Sequence, residues 1–353
     1  MLHRTVPCNE RDMISQDLKV NIKLGQRNVP CPKKEKMMKV LVTGGTGMVG
    51  SHFMNSYKKD GAVVYGIARN SASSRMAAVP DPSIIRCDIL ERDRLMSIIK
   101  DLSPDIIIHM AAQAFNGDSW NCEYVTHNTN YQGTLNVLYC AKELKDSGKD
   151  VKVLLACSSA EYGNITPEDC PLKEDRLLTP WTPYGVSKVG VEMLGRQYFL
   201  NFGLPVFLPR MFIHVGTGHP PATAIQNFAR QLALIKKGVI EPEIHVGNLE
   251  TARDFIDVRD GVAAMRILME KGEPGVPVNI CTGKAWKISE ILDMLVEISG
   301  TDAKVVSDKK LFRVADEPLL LGDNTRISAL GFVPQYTMHQ TLTDVFNDWM
   351  GRI

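Results

Sequence analysis

No run of apolar residues in the 353-residue chain reaches the roughly 18 to 20 needed to cross a bilayer, which excludes a membrane-spanning helix as the organising feature. The first residues, "MLHRTVPCNERDMISQDLKVN", lack the apolar centre of a secretory signal, so the cytoplasm is the expected compartment. An excess of either charge is missing too. With 41 Lys and Arg against 40 Asp and Glu, the net charge of +1 supplies no field to hold a nucleic-acid backbone or an anionic membrane, and neither is expected as a partner. The eight cysteines, at 8, 31, 87, 122, 140, 157, 170 and 281, form no CxxC pair and no metal-ligand spacing. They read as reduced, mostly structural thiols, and no metal is expected. Internal repeats and low-complexity tracts are lacking as well, which excludes a solenoid.

What is present, from Lys39 onward, is a regular alternation of short β-branched runs with longer amphipathic stretches, the pattern of βαβ units and a parallel sheet. The strand candidates are 39–43, 62–68, 83–87, 105–111, 151–157 and 205–210; helices are expected near 47–59, 91–102, 122–147, 184–202 and 223–237. The strand runs are apolar almost throughout, as when helices cover both faces of a sheet. Residues 1–37, polar and ending in "CPKKEKMM", read as a mobile N-terminal extension. Residues 38–212 then form mainly a dinucleotide-binding part, with part of 252–282 returning to it, and 213–353 mainly a smaller, irregular α/β substrate part. The fold class is α/β, a Rossmann-type doubly wound parallel sheet, whose ligands lie beyond the carboxyl ends of the strands.

"VLVTGGTGMVG" sets Gly44, Gly47 and Gly50 between the first strand and the first helix. Such a turn brings backbone N–H groups at a helix N-terminus against a pyrophosphate, so Gly44, Thr46, Gly47, Met48, Val49 and Gly50 are the expected cofactor cradle. At the end of the second strand, where a carboxylate would accept the ribose hydroxyls of NAD(H), the sequence is "GIARNSASSR". Arg69, Ser71 and Arg75 suit a ribose 2′-phosphate, which favours NADP(H) over NAD(H); the plainer alternative is a solvated basic loop. Asp88 and Ile89, after the third strand, are candidates to contact adenine.

In "WTPYGVSKVGV", Tyr184 and Lys188 stand four apart at the start of a helix and share a face. A lysine cation beside a phenol favours its ionised form, and a phenol so tuned can move a proton near neutral pH. With TGGTGMVG (43–50), HMAAQ (109–113), Asn130 to Thr134, SSAEYG (158–163), YGVSK (184–188) and PRMF (209–212), the chain resembles the extended short-chain dehydrogenases/reductases over about 39–350. The stretches 245–260 and 313–332 are similar to its GDP-sugar branch, that of the 4-keto-6-deoxy-mannose reductases and GDP-mannose 4,6-dehydratases. The resemblance implies Ser158, Tyr184 and Lys188 as catalytic residues, and Ala111, Ala112 and Gln113 beside the cofactor. It implies Asn130, Ser159, Ala160, Glu161, Arg210, Arg253, Arg313 and Asp316 around the substrate, with Arg253 and Arg313 on the diphosphate and Asp316 on the guanosine ribose. A homodimer through helices 122–147 and 184–202 follows from it too. The plainer readings are a surface ion pair of Arg253 with Asp254, an acidic turn at Asp316, and a buried, inert Cys157.

Two departures bear on the expected reaction and substrate. The family's dehydratases carry a glutamate two residues after the catalytic hydroxyl, where this chain has Ala160; Glu161 is one residue out of register and on a strand-like segment faces the other way. Ile213 stands where the family usually has a substrate-contacting asparagine, which bears on the sugar and leaves its identity open, whereas the first departure bears on the reaction. Reduction of a GDP-4-keto-6-deoxy-hexose therefore stands first, ahead of dehydration, sugar-nucleotide epimerisation and a cofactor-binding regulatory role without turnover. If Arg69 reads the 2′-phosphate, Arg69→Asp lowers affinity for NADP(H) far more than for NAD(H) in a titration with each; equal losses would overturn that assignment.

Overall fold

Residues 37–69, 81–312 and 317–353 are described by the computed structural model, and residues 37–353 cluster as one compact unit. The expected N-terminal extension up to Lys36, together with Ser71, Arg75, Arg313 and Asp316, lies outside the described residues.

In chain order the elements are β1 (Lys39–Thr43), α1 (Met48–Lys59), β2 (Val63–Ala68), β3 (Ile84–Arg86), α2 (Arg92–Leu102), β4 (Ile106–His109) and α3 (Glu123–His127). A π-helical turn (Asn128–Gln132) leads into α4 (Gly133–Asp146), followed by β5 (Lys152–Leu155), β6 (Cys157–Ser158), α5 (Pro183–Phe202), β7 (Val206–Met211), β8 (Ile213–Val215), α6 (Ala224–Lys236) and β9 (Glu243–Val246). The remainder comprises β10 (Ala252–Asp257), α7 (Val258–Lys271), β11 (Pro277–Ile280), β12 (Ala285–Lys287), α8 (Ile288–Ser299), β13 (Lys304–Ser307), β14 (Leu319–Leu320), α9 (Thr325–Ala329) and α10 (Met338–Arg352).

The large sheet has the order β3-β2-β1-β4-β5-β7-β11, with β6 also on β7, and its ladders are parallel. Strand periodicity decides which helices cover which face. Leu41, Ile107, Val153 and Leu155 point into one core with Leu95 and Ile99 of α2, Leu138 of α4 and Val191 of α5. Val40, Val42, Ile108 and Leu154 point the other way, onto Phe53 and Met54 of α1 and Met265 and Leu268 of α7. Each such side chain contributes about 1.5–3 kcal/mol on full burial, so exposing either face would forfeit much of the fold's stability. A third core joins α6, α8 and α10 beneath the two small sheets, β12-β10-β14 with β8 on β10, and β13-β9. Among the described residues, no helix is long and apolar enough to cross a membrane.

Two elements differ from the sequence-based expectation. The single strand 151–157 is broken at Ala156, where the carbonyl accepts from Lys188 Nζ at 2.7 Å and the chain then steps over to pair with β7. The single helix 122–147 carries the π-helical turn, which packs an extra residue into the coil and sets Asn130 inside the molecule. Both departures fall next to the crevice where β1, with β2 on one side and β4 on the other, makes the strand order reverse direction.

Candidate active site

At the carboxyl end of β1, Gly44 has φ +71°, and a Cβ there would lie 2.7 Å from the Ala111 nitrogen at the end of β4. The turn is pressed against the neighbouring strand, which no larger residue allows. Six residues on, a Cβ on Gly50 would sit 2.2 Å from the Gly44 carbonyl oxygen, so α1 begins in close contact with the turn. Its N-terminus has no side-chain cap and no acid in its first turn. N–H groups there that lack intrahelical partners, next to a turn without side chains, form a cradle that fits a dinucleotide diphosphate.

Arg69 follows β2 and is exposed; its carbonyl accepts from Arg86 Nε at 3.1 Å, which brings a second guanidinium to the same end of the sheet. Arg86 was not singled out from sequence, because it is the last residue of a different strand. Beyond β3 the adenine candidates have other duties. Ile89 is buried against Gly133 of α4, and the Asp88 carboxylate accepts from the Leu90 N–H at 3.0 Å. The Ile89 side chain is thus part of the interior.

The catalytic candidates come from two adjoining segments. Ser158 ends β6 and caps a short 3-10 turn, Ser159–Glu161, its Oγ accepting from the Ala160 N–H at 3.1 Å. That contact uses an acceptor site and leaves the hydroxyl proton for another oxygen. Tyr184 and Lys188 lie in the first turns of α5, which starts where Thr182 Oγ1 accepts from the Gly185 N–H at 3.0 Å and Pro183 fixes the backbone. Lys188 is buried, with Nζ on the Ala156 carbonyl and 5.6 Å from the centre of the Tyr184 ring. The segments touch at Gly185: a Cβ there would be 2.5 Å from the Ala160 carbonyl oxygen.

A buried hydrogen-bond path ties the glycine turn to this helix. Thr43 Oγ1 contacts His109 Nδ1 at 2.7 Å and accepts from the Ala111 N–H, while His109 Nε2 lies 3.0 Å from Thr134 Oγ1. Thr134 donates its proton to the Asn130 carbonyl, so its oxygen accepts from His109, whose ring proton is thereby assigned to Nε2. Burial, helped by the Lys188 cation, pushes the imidazole down to about 3, and the ring is neutral at physiological pH.

Asn130, expected around the substrate, is buried and its amide is committed inside the fold. Its amide oxygen accepts from the Gln113 N–H at 2.8 Å, and Nδ2 donates to the Gln113 carbonyl and to Ser187 Oγ, which itself donates to the Tyr184 carbonyl. It positions the Ala111–Gln113 loop and the start of α5. Arg210 is likewise committed inside the fold. It is 3% exposed and grips both Glu192 oxygens at 2.8 and 2.9 Å, the Glu174 carbonyl at 3.0 Å and the Tyr162 hydroxyl at 3.2 Å. Glu161 is sealed beside this cluster, its Oε1 accepting from the Ser158 N–H at 2.7 Å. The segment is a 3-10 turn, so strand alternation is not what directs this side chain. Cys157 is buried, and desolvation pushes its thiol well above the usual range, with Glu161 and Glu192 acting the same way. Its sulfur and the two carboxylates lie within 4.8 Å of one another, but Arg210 already supplies the cationic charge of that cluster.

On the substrate side, Arg253 is buried in β10 and donates to the carbonyls of Ala252 and Glu317, next to the chain that follows Asp316. Asp254 accepts from Thr282, Gly283 and Gly322, so the ion pair between neighbours, the plainer reading, is not what holds it. Ser159 is buried and Ala160 half-buried; Ile213 packs against the third core.

The family described as GDP-mannose 4,6 dehydratase matches residues 41–345. The GDP-6-deoxy-D-mannose reductase of Pseudomonas aeruginosa is 31% identical over 316 residues, 89% of this chain and 98% of that protein. The GDP-mannose 4,6-dehydratase of Yersinia enterocolitica is 25% identical over 350 residues, 88% of this chain and 93% of its own. Among solved structures, RMD from Pseudomonas aeruginosa complexed with NADPH superposes with a TM-score of 0.76 at 31% identity, covering 90% of this chain and all of that one.

Gly185→Ala forces the Ala160 carbonyl away from α5 and spreads the segments carrying Ser158 and Tyr184. Misplacement on that scale should lower turnover by roughly tenfold or more, against a stability cost of about 1–3 kcal/mol. Steady-state rates set beside urea unfolding check this; wild-type turnover in the variant would show that the close approach is not needed.

Proposed function

The chain belongs to the GDP-mannose 4,6-dehydratase family, the GDP-sugar branch of the extended short-chain dehydrogenases/reductases, and within it we propose that this enzyme reduces the C4 ketone of a GDP-4-keto-6-deoxy-hexose. NADPH, when bound on the glycine turn, supplies the hydride that adds to C4. Tyr184 gives its phenolic proton to the oxygen as the C=O double bond opens and the electron pair moves onto that oxygen. Ser158, its hydroxyl held as an acceptor by the Ala160 N–H, donates its own proton in a hydrogen bond to the same oxygen. Lys188, fixed on the Ala156 carbonyl, carries the positive charge that favours the tyrosinate left behind. NADPH is preferred over NADH because arginine rather than a carboxylate follows β2.

The observation that carries reduction over dehydration is Ala160. Loss of water from a sugar needs a positioned acid for the departing hydroxyl, worth roughly 10² to 10⁴ in rate, and alanine has no proton to move. The next acid along, Glu161, is fully buried and bonded to the Ser158 N–H, so it cannot stand in. By the family resemblance, Arg253 and Arg313 are assigned to the diphosphate and Asp316 to the guanosine ribose. Ile213, which packs against the third core, has no amide to offer the sugar where the family pattern has asparagine, so the exact sugar is left open.

A second reading concerns assembly. Val186, Met193 and Leu200 recur every seven residues along α5 and are exposed, as are Tyr124, Tyr131 and Tyr139 on the preceding helical run. A groove of about 500 Å³ lies between them, lined by Tyr124, Tyr131, Val186 and Gly190. Two parallel apolar stripes on a polar surface suit a second copy of the same pair, packed as a four-helix interface. Wild-type protein should sediment as a dimer and Met193→Arg as a monomer; a monomeric wild type at micromolar concentration would remove the proposal.

The reaction is tested by offering GDP-mannose and GDP-4-keto-6-deoxy-mannose, each with NADPH, and resolving the products. Consumption of NADPH with the keto sugar supports reduction, whereas a 4-keto product from GDP-mannose without net NADPH oxidation would sink it. Tyr184→Phe should reduce turnover by about 10² to 10⁴ while NADPH still binds; an active variant would end the assignment of the proton donor.

A further inference from the structure

Glu161 has a task that neither substrate binding nor the proton transfer from Tyr184 uses. It is fully buried, and so is Glu192, while Arg210 is 3% exposed. Arg210 spends two of its donors on the two oxygens of Glu192, a complete bidentate pair, and its Nε is 3.8 Å from Glu161 Oε2. Tyr162 donates its hydroxyl proton to Asn279, at 2.6 Å, so it is not a donor to Glu161. Two carboxyl groups thus share one guanidinium at a fully buried point, and a second carboxylate there would be a buried anion short of a counter-charge. A proton on Glu161 removes that cost and gives Oε2 an O–H facing Glu192, while Oε1 remains the acceptor for the Ser158 N–H.

We propose that Glu161 is a positioning residue: a neutral carboxylic acid, fixed from below by Glu192 and Arg210, that holds the backbone of Ser158 and so aims its hydroxyl into the cleft. The capping arrangement is reciprocal. Ser158 Oγ takes the Ala160 N–H at 3.1 Å while Glu161 takes the Ser158 N–H at 2.7 Å, and the two contacts together fix both the backbone and the side chain of the hydroxyl residue. Burial, then the nearness of Glu192, pushes the Glu161 carboxyl well above the usual carboxylate range, in keeping with that arrangement. The functional half of this inference rests on the reading of Ser158 as the residue that orients the substrate oxygen.

Glutamine reproduces the protonated acid, with an oxygen for the Ser158 N–H and an N–H for Glu192; leucine fills similar space with neither. Glu161→Leu should lose roughly tenfold or more in kcat with little change in the KM for NADPH, and Glu161→Gln should restore most of that loss. Equal losses in both, or full activity in the leucine variant, would overturn the proposal. Two readouts do not depend on the sugar: an infrared difference spectrum of wild type minus Glu161→Gln at pH 7.5, expected to contain the C=O band of a protonated carboxyl group, and hydrogen exchange of the Ser158 amide, expected to be slow in wild type and the glutamine variant and faster with leucine. A carboxylate band in place of the acid band, or equal exchange in all three, would refute the structural claim even if the keto sugar proves not to be the substrate. If wild type turns over neither sugar while both readouts hold, it is the reductase reading that fails. Should the leucine variant not fold, the infrared spectrum and the glutamine variant still decide.

Discussion

A neutral imidazole with one ring proton is the constraint on which the cleft depends. His109, sealed at the end of β4, can donate from one nitrogen and accept at the other, so the path through it has a direction: Ala111 N–H to Thr43, Thr43 to His109, His109 to Thr134, Thr134 to the Asn130 carbonyl. Asn130 then holds the loop of Ala111–Gln113 and Ser187 of α5. The glycine turn, the loop beside it and the helix bearing Tyr184 are therefore linked by contacts that each leave no alternative partner. A buried polar network of this kind is useful only when fully paired, since one missing member leaves a donor or acceptor stranded at about 1–3 kcal/mol. Protonating the ring would break the pattern at Nδ1, and burial prevents it.

A second buried network lies below Ser158, and its currency is charge. Arg210 on β7, Glu192 on α5 and Glu174 in the connection before α5 meet with Tyr162 and Asn279 at a point where four chain segments converge. Asn279 accepts from Tyr162 and donates to the Leu172 carbonyl, while its own N–H is held by Glu174. Removing one partner from such a buried pair costs about 3–5 kcal/mol, far more than a surface ion pair. The cleft thus has a floor that resists tilting, and the segment bearing Ser158 rests on it through Glu161.

Much of this molecule was legible in the sequence because the decisive signals are local. The runs at 39–43, 105–109 and 152–155 are apolar on both faces, and the sheet buries both; the glycines at 44, 47 and 50 stand where a strand must turn tightly into a helix. What was not legible depends on contacts across long separations. Arg210 meets Glu192 across 18 residues and Tyr162 meets Asn279 across 117, so nothing near PRMF marks its arginine as a floor residue instead of a ligand. Asn130 is placed around the substrate by the family resemblance alone; the π-helical turn that buries it has no signature in residue type. The alternation argument for Glu161 assumed a strand, whereas the serine before it caps a 3-10 turn.

These two networks leave one position on the turn unconstrained. Around Ala160, the N–H is held by Ser158 Oγ and the carbonyl rests against Gly185, so the backbone is fixed from both sides by atoms other than its own side chain. The side chain here is half-buried, and the contacts that keep Ser158 and Gly185 together are made by the Ala160 backbone. Chemistry at this position is therefore separable from geometry. On the proposed reading, an acid here would add a proton donor to the site, and alanine leaves it out. On that reading, a scaffold shared with the dehydratases and a different reaction are physically compatible for that reason: the Ser158 backbone and the Lys188 ammonium are held by buried contacts made elsewhere, and the difference rests on the side chain at position 160.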